Sequence, residues 1–512
     1  MNSFEVYGKE AENILITQVN QQQQIISEKL EYYSSGNFFF KLHRLVKTIE
    51  EFINIFTFGL EKDDTFDSFV SMELNIYNKF FLGLNPIWKR IEYKYGQGTC
   101  NRLINLVKYS IDINNSFKML GWNNFENQNN LESVIGMINY FQSRRRYFIS
   151  LLYSIDTLKK GLISIPENEL VLELIPIIEC HCLPLTSIQN KQVFQKLNKN
   201  FKLIVDGIRC TSNYHYNILD ESYLEPERIS LSEHLEHRET NYEEDPFYVD
   251  DSKIFSVNEF KNSIIKMEKF HQFYVTDISE FLIFKRIIFE LLEHIYDEYF
   301  IFVDEDIFIN IVKKNSDKNS SKILESLISN SNDYNISINS YQPVIKIESG
   351  YTTNINLLMR FMYFYKNKIL NKKRRFQIHS GFIFEDEVKN KLKENGFFVT
   401  ENTKRIERKE FDIVAIRNNT IYNFQCKNSF IDISLIYASP EKFIRKSKHL
   451  QNYFNRALRK EVERESLLKV KLKIEDIKHY VISRYPIVSE NENIISFFDL
   501  HDWIKKNFKD EI

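Results

Sequence analysis

Three polar residues near the carboxyl end of the chain have the side chains that phosphodiester hydrolysis requires. Asp412 is a carboxylate, Gln425 carries an amide oxygen that can bind a metal ion, and Lys427 is a cation. Hydrolysis of a phosphodiester needs charge neutralised on a phosphoryl oxygen, a nucleophilic water near neutral pH and a stabilised leaving oxygen. A divalent cation held by oxygen ligands meets these needs, and Mg²⁺ typically takes one or two carboxylates while keeping several waters.

The sequence around these groups predicts a β-hairpin. An apolar run at 411–416, interrupted only by Asp412, is followed by a turn at 417–419 and a second apolar run at 421–424. The two asparagines in the turn tolerate left-handed backbone conformations. We therefore expect Asp412 at the start of the first strand.

Alternation of side chains along the second strand places the polar groups on one face. Asn423, Gln425 and Lys427 share that face, whereas Phe424 and Cys426 share the other. Cys426 is interpreted as a small buried apolar residue without thiol chemistry. The carboxylate of Asp412 would then meet Gln425 and Lys427 at one end of the hairpin.

A helix is predicted upstream of the hairpin. It contains Gly381-Phe382-Ile383-Phe384-Glu385 and continues through Val388 and Leu392, which with Phe384 form an apolar stripe. Three consecutive acids, Glu385 to Glu387, point about 100° apart on a helix. Only one of them should face the hairpin.

Together, these motifs resemble the PD-(D/E)XK nuclease superfamily, and specifically its Mrr-like branch, in which glutamine replaces the usual acid. The matching residues are Gly381-x-x-Phe384-Glu385, Asp412 and Gln425-Cys426-Lys427. The resemblance covers about the last quarter of the chain. An ordinary hairpin with a surface Asp and Lys is the alternative.

The resemblance implies a role for each residue of the motif. Mg²⁺ or Mn²⁺ would be held by Asp412, Gln425, the backbone carbonyl of Cys426, and Glu385 as a second carboxylate. Glu385 is preferred over Asp386 and Glu387 by its match to the motif. Lys427 would stabilise charge beside the attacking water or the scissile phosphate.

A second helix is predicted after the hairpin, where Ser439 is a helix N-cap and Pro440 the first helical residue. Its basic side is predicted to contact a phosphate backbone, although a solvated basic face is an equal alternative. These basic residues are Lys442, Arg445, Lys446 and His449. A strand at 479–483 and a closing helix at 497–506 complete the order helix, hairpin, helix, strand, helix, which is typical of an α/β sandwich.

The predicted fold class is multidomain, with a large, mainly α-helical N-terminal region before the C-terminal α/β domain. The resemblance implies that this last domain is restriction-endonuclease-like, with a central mixed β-sheet flanked by helices. A length of 512 residues favours several domains, and only 13 Gly and 9 Pro favour long helices. The predicted divisions are an α-helical domain at 1–218, an acidic linker or loop at 219–252, a mainly helical domain with a short hairpin at 253–375, and the nuclease-like domain at 376–512.

Several local features belong to the N-terminal region. Apolar residues at helical spacing predict a helix from Leu42 to Phe56, and Asp277 with Glu280 predicts a capping box. Alternating isoleucines at 336–347 around Pro343 predict a short hairpin before a helix at 354–369. The basic run at 144–146 is interpreted as the surface of a helix.

Charge is unevenly distributed along the chain. The net charge of the whole chain is −2, but the segment from Asn371 to Ile512 has 29 Lys and Arg against 21 Asp and Glu. A basic domain beside an acidic one favours binding of a polyanion. Five cysteines without paired spacing suit a reducing interior, and the N-terminus lacks the apolar core of a signal peptide, so the predicted location is cytoplasmic without a membrane partner.

The sequence thus predicts a metal-dependent endonuclease, with double-stranded DNA as its partner and a role in restriction or anti-phage defence. The N-terminal region would recognise a protein partner or an activating signal. Two cuts across a duplex need two active sites, which favours a homodimer. The alternatives are a catalytically inactive nucleic-acid-binding or scaffold protein, and an RNA-cleaving toxin.

Overall fold

The computed structural model describes residues 3–33, 35–53, 134–154, 161–206, 209–213 and 257–508, with short gaps at 167–168, 297–298, 317–318, 330–333, 339 and 402. A few single residues between 89 and 119 are also described. The predicted acidic linker at 219–252 and the end of the predicted helix at Phe56 lie outside these residues. The described chain is a helical N-terminal part followed by α/β parts, as the coarse fold class predicts.

The N-terminal part is a layer of packed helices beside one small sheet. Its helices are α1 (Gly8–Glu31), α2 (Ser35–Ile53), α3 (Val134–Tyr153), α4 (Leu170–Ile177) and α5 (Leu183–Leu197), with a π-helical turn (Ile178–Cys182) between the last two. Its antiparallel sheet is formed by β1 (Phe4–Val6), β2 (Leu203–Asp206) and β3 (Arg209–Ser212). The stretch Leu170–Leu197 is long and apolar enough to cross a membrane, but half of its most apolar window is buried inside the protein.

The basic run at 144–146 does not lie on the surface. Arg145 and Arg146 are buried, and the guanidinium groups of Arg145 and Arg144 pair with Glu50 and Glu179. The prediction of a surface position was wrong, because the partner carboxylates lie far away in the sequence. Buried arginines require such pairing, since an unpaired charge in the interior is very costly.

The middle part contains a five-stranded sheet that the sequence analysis missed. The strands are β4 (Ile295–Tyr296), β5 (Phe300–Val303), β6 (Ile328–Ser329), β7 (Val344–Ile347) and β8 (Gly350–Asn354), in the order β4-β5-β8-β7-β6. The surrounding helices are α6 (Val257–Tyr274), α7 (Ser279–Leu291), α8 (Glu305–Ser316), α9 (Ser320–Leu327), α10 (Tyr334–Ser337) and α11 (Ile355–Leu370).

Two local predictions for this part need correction. The predicted hairpin around Pro343 is wrong, because Tyr334–Ser337 is helical and β7 instead pairs with β8 across a turn before Gly350. At Gly350 a Cβ would lie 2.3 Å from the carbonyl oxygen of Val303, so only glycine fits there. The capping box is also wrong: Asp277 accepts a hydrogen bond from the backbone of Ser279, but Glu280 binds Lys322 and Tyr365 instead.

The C-terminal part is built around a mixed five-stranded sheet. Its strands are β9 (Phe398–Val399), β12 (Ile413–Arg417), β13 (Thr420–Lys427), β14 (Ile477–Ser483) and β15 (Ile494–Ser496), in the order β15-β14-β13-β12-β9. Pairing is parallel between β13, β14 and β15 and antiparallel between β13, β12 and β9. A separate ribbon joins β10 (Arg405–Ile406) and β11 (Lys409–Glu410).

Helices cover both faces of this sheet. They are α12 (Arg374–Glu394), α13 (Leu435–Ala438), α14 (Pro440–Glu463), α15 (Glu465–Leu472) and α16 (Leu500–Asn507). Phe384, Val388 and Leu392 of α12 pack with Phe424 in one core, which also receives α16. The apolar stripe of α14 packs instead into a core shared with the N-terminal helices. This sheet with helices on both faces positions Asp412, Gln425 and Lys427.

Candidate active site

The hairpin that was predicted around Asp412 is present. Ile413 pairs with Phe424, so Asp412 lies immediately before β12 and opposite Gln425. The turn residues Asn418 and Asn419 have φ angles of 48° and 56°, the left-handed conformation that asparagine tolerates. The strand faces also agree with the prediction, because Asn423 contacts α14 whereas Phe424 packs against α12.

Asp412 is fixed by hydrogen bonds to the second strand. Its Oδ2 accepts a hydrogen bond of 2.8 Å from the backbone N–H of Cys426 and another from the side-chain amide of Gln425. Burial raises the pKa of Asp412, while Lys427 and these hydrogen bonds lower it. The carboxylate is therefore held in one orientation at a position that water solvates poorly.

The backbone carbonyl of Cys426 faces the same side as Asp412. In an antiparallel strand the N–H and C=O of one residue point toward the same neighbour. The N–H of Cys426 reaches Asp412, and Arg484 N–H binds the carbonyl of the next residue, Lys427, from the β14 side. The Cys426 carbonyl therefore points past the beginning of β12, where the β12–β13 ladder has already ended.

Glu385 approaches this strand end from α12. Burial and the negative charge of Asp412 raise the pKa of Glu385 from its ordinary 4.5 to about 7, against smaller opposing effects of Lys389 and Lys404. Its neighbour Asp386 is exposed and forms an ion pair of 2.9 Å with Lys389. Of these two acids, Glu385 is the one whose charge is coupled to Asp412.

Lys427 lies on the other side of Asp412. Burial lowers the pKa of Lys427, and Asp412 and Glu461 raise it. Its Nζ lies 5.7 Å from the ring centre of Tyr453 on α14. Glu385 and Lys427 thus act electrostatically on Asp412 from opposite faces of the sheet, around the end of the hairpin.

This donor set suits a hard divalent cation. Two carboxylates with raised pKa values gain from a nearby positive charge, and the Cys426 carbonyl offers a third oxygen. In the described part of the chain no three His, Cys, Asp or Glu side chains converge, so water would complete the coordination. Gln425 now turns its amide nitrogen to Asp412, so the amide must rotate before its oxygen can bind the same ion.

A groove opens from Asp412 along α12 and the β9 edge. It has a volume of about 590 Å³, and its charged lining residues are Lys389, Lys393 and Lys404 together with the acids Asp386, Glu401 and Asp412. Two of these lysines, Lys389 and Lys404, also act electrostatically on Glu385. The groove therefore places lysines beside the acidic pair.

The predicted nucleic-acid-binding residues lie on α14. Lys442, Arg445 and His449 are exposed, whereas Lys446 is partly covered by the ring of Phe430 at 5.4 Å. At 100° per residue, three of the four predicted residues share a narrow stripe with Tyr453, and Arg445 lies at its margin. The stripe comprises Lys442, Lys446, His449, Tyr453, Arg456 and Lys460. Within this stripe, the ring of Tyr453 lies beside Lys427.

Glu461 is a residue near the site that the sequence analysis missed. It is 1% exposed, accepts a hydrogen bond of 2.8 Å from Asn423, and pairs with Arg464. Its charge acts on both Lys427 and Asp412. A carboxylate in line with the apolar residues Phe454 and Leu458 on α14 was the signal that could have indicated a buried, paired acid.

Comparison of the chain with protein-family models, with curated proteins and with solved structures finds no match.

The pKa of Glu385 predicts how stability depends on pH in the absence of divalent ions. Its folded-state pKa of about 7 lies above the ordinary 4.5, so the folded protein keeps a proton that the unfolded chain has lost between these values. Stability should therefore fall as pH rises through this window. Glu385→Gln imitates the protonated acid. The difference in free energy of unfolding between this variant and wild type should therefore favour the variant more at pH 8 than at pH 5.

Urea unfolding of both proteins in EDTA at these two pH values measures the effect. Asp386→Gln is the matched control, because this acid is exposed. An equal difference between wild type and Glu385→Gln at pH 5 and pH 8 would contradict the prediction.

Proposed function

We propose that this protein is a metal-dependent phosphodiesterase that cleaves nucleic acid, with DNA as the preferred substrate. The observation that carries the proposal is that Asp412, a desolvated carboxylate at one strand end, is electrostatically coupled to a second desolvated carboxylate and to a desolvated lysine. Asp412 couples to both Glu385 and Lys427, although these approach from opposite faces. Perturbed titratable groups gathered beside a groove are typical of catalytic sites.

The resemblance to the Mrr-like branch of the PD-(D/E)XK nucleases supports the same proposal for the fold. A mixed sheet with α12 on one face and α14 on the other is compatible with a restriction-endonuclease-like domain. The helix, the hairpin and the Gln-x-Lys element occur in the order that the resemblance implies.

Each residue would then have a defined task. Asp412, Glu385 and the Cys426 carbonyl would hold Mg²⁺ or Mn²⁺, with the rotated amide of Gln425 as a further ligand. A bound cation would supply neutralisation of phosphoryl charge and a more acidic water. Lys427 would stabilise negative charge on the scissile phosphate, and its burial, which also lowers its pKa, reduces the screening of that charge by water.

The basic surfaces on either side of the site would hold the phosphate backbone. One is formed by the lysines of the groove beside Asp412, which also contains Asp386 and Glu401, and the other is the α14 stripe beside Lys427. Such contacts are electrostatic and weaken as salt rises.

Cleavage of supercoiled plasmid DNA tests the proposal. Wild type should cut with Mg²⁺ or Mn²⁺ and not with EDTA, and Lys427→Ala should cut at least about 10²-fold more slowly because the developing charge loses its stabilisation. Lys393→Ala, which removes an exposed groove lysine, is the matched control and should change the rate only a few-fold. Metal-independent cutting, or full activity of Lys427→Ala, would refute the proposed site.

A catalytically inactive nucleic-acid-binding protein is the second candidate. The observation that favours it is the hydrogen bond from the side-chain amide of Gln425 to Oδ2 of Asp412, the carboxylate that would have to bind the cation. This candidate predicts salt-sensitive DNA binding that neither Mn²⁺ nor Asp412→Ala changes. Titration calorimetry with Mn²⁺ separates the two, since only the enzyme should bind the ion at Asp412.

A further inference from the structure

Two exposed aromatic rings flank the proposed active site. Phe382 on α12 is 51% exposed and Tyr453 on α14 is 46% exposed. A lysine of the site lies over each ring: Lys404 is 5.5 Å from the ring centre of Phe382, and Lys427 is 5.7 Å from that of Tyr453. Single exposed rings are common on protein surfaces, so what distinguishes these two is their position beside lysines that lie near Asp412 and Glu385.

Helical geometry places both rings toward the site. Phe382 precedes Glu385 by three residues, and residues at this spacing lie on neighbouring parts of a helix surface. At Gly381, the residue before Phe382, an added Cβ would meet no atom within 4 Å, so this part of α12 is open. Tyr453 is the one aromatic member of the basic stripe on α14.

We infer that the substrate is unpaired beside the scissile phosphate, with its bases stacked on Phe382 and Tyr453. This inference rests on the proposed function and narrows the substrate to single-stranded nucleic acid, or to a duplex with an unpaired segment. Basic grooves interleaved with exposed aromatic rings are the usual means of holding single strands, because every base has a face that can stack. Bases inside an intact duplex stack on each other and leave no face for either ring.

The positions of the lysines fit the same path. Phosphates would follow Lys404 and the groove on one side of Asp412, and Lys427 and Arg456 on the other. A single strand crossing the end of the hairpin would then meet one ring before the scissile phosphate and one ring after it. The double-stranded DNA partner predicted from the sequence differs from this substrate and stays a prediction.

Binding of labelled oligonucleotides to the full chain in EDTA tests the inference without cleavage. The probes are a DNA strand of about 12 nucleotides, within the usual site size for such grooves, and its blunt duplex. Phe382→Leu and Tyr453→Leu should each weaken binding of the single strand about tenfold, as expected for loss of one stacked base. Phe382→Trp and Tyr453→Phe, which keep a ring, should bind like wild type.

Phe398→Leu is the matched control, because Phe398 is 70% exposed on the edge strand β9 and does not line the groove. The inference is overturned if neither ring variant weakens single-strand binding, or if duplex binding weakens equally. Plasmid and oligonucleotide cleavage with Mg²⁺ are measured separately. If single-strand binding depends on the rings but no cleavage occurs, the proposed function is wrong and the stacking of bases on the rings still holds. If the protein cleaves duplex DNA and neither ring variant changes the rate, this inference is wrong and the proposed function still holds.

Discussion

Replacing Asp412 by asparagine is expected to slow metal-dependent cleavage by about 10³-fold or more. Asparagine has nearly the same shape and can still accept the hydrogen bond from the Cys426 N–H. It removes the negative charge that a divalent cation requires and that the Cys426 carbonyl cannot replace. Loss of charge stabilisation at a desolvated centre costs several kcal/mol of barrier, which corresponds to this change in rate.

Initial rates of cleavage at several Mn²⁺ concentrations measure this effect, together with thermal unfolding of the same preparations. Asp386→Asn is the matched control, because Asp386 is an exposed acid next to Glu385 and should alter the rate only a few-fold. If Asp412→Asn cuts as fast as Asp386→Asn, the metal site is not where we place it. A variant that has lost activity but unfolds like wild type would exclude a merely structural role.

Replacing Phe424 by alanine is expected to destabilise the C-terminal part by about 3–5 kcal/mol. Phe424 is fully buried, and its ring contacts those of Phe397, Tyr480 and Trp503. The cost combines lost apolar burial with the cavity left among rigid rings. Since Phe424 lies directly before Gln425, the site should lose its order in the same transition.

Urea unfolding followed by Trp503 fluorescence measures this loss, because the indole lies 6.0 Å from the Phe424 ring. Trp88 and Trp122 are first replaced by phenylalanine, so that Trp503 is the only reporter. Phe398→Ala, an exposed ring on the same sheet, should cost less than about 0.5 kcal/mol. Equal midpoints for the two variants would show that the core around Phe424 does not hold this part together.

The sequence predicts those features of the C-terminal part that depend on neighbours in the chain. The hairpin follows from alternation on either side of Asn418 and Asn419, and the start of α14 at Pro440 follows from local backbone preferences. The faces of β13 follow from the two-residue period of a strand. For the same reason, the opposition of Asp412 and Gln425 could be foreseen.

The missed features depend on partners that are distant in the sequence. The short strands β4 to β8 have too few residues for alternation to show, and their pairing spans β5 and β8, about 50 residues apart. Arg145 looked like a surface residue because its partner, Glu50, is 95 residues away. Local patterns do not carry information on such pairs.

The candidate site also combines residues that could be predicted from the sequence with residues that could not. Glu385 was chosen over Asp386 by its motif, and the coupling to Asp412 now gives that choice a physical reason. Glu461 and the lysine over Phe382 were not foreseen, since both depend on how helices and loops pack around the strand end. The sequence therefore indicated which residues of the hairpin and of α12 lie near Asp412, and packing determined what surrounds them.

Helix α14 belongs to two parts of the molecule at once. Its apolar stripe is buried among the N-terminal helices, where Tyr437, just before it, also donates a hydrogen bond of 3.2 Å to Asn190 of α5. Its flank carries Tyr453 beside Lys427. A molecule that binds and displaces the N-terminal helices must therefore either move α14 or expose its apolar stripe to water. Binding at the N-terminal part would in this way change the surroundings of Lys427.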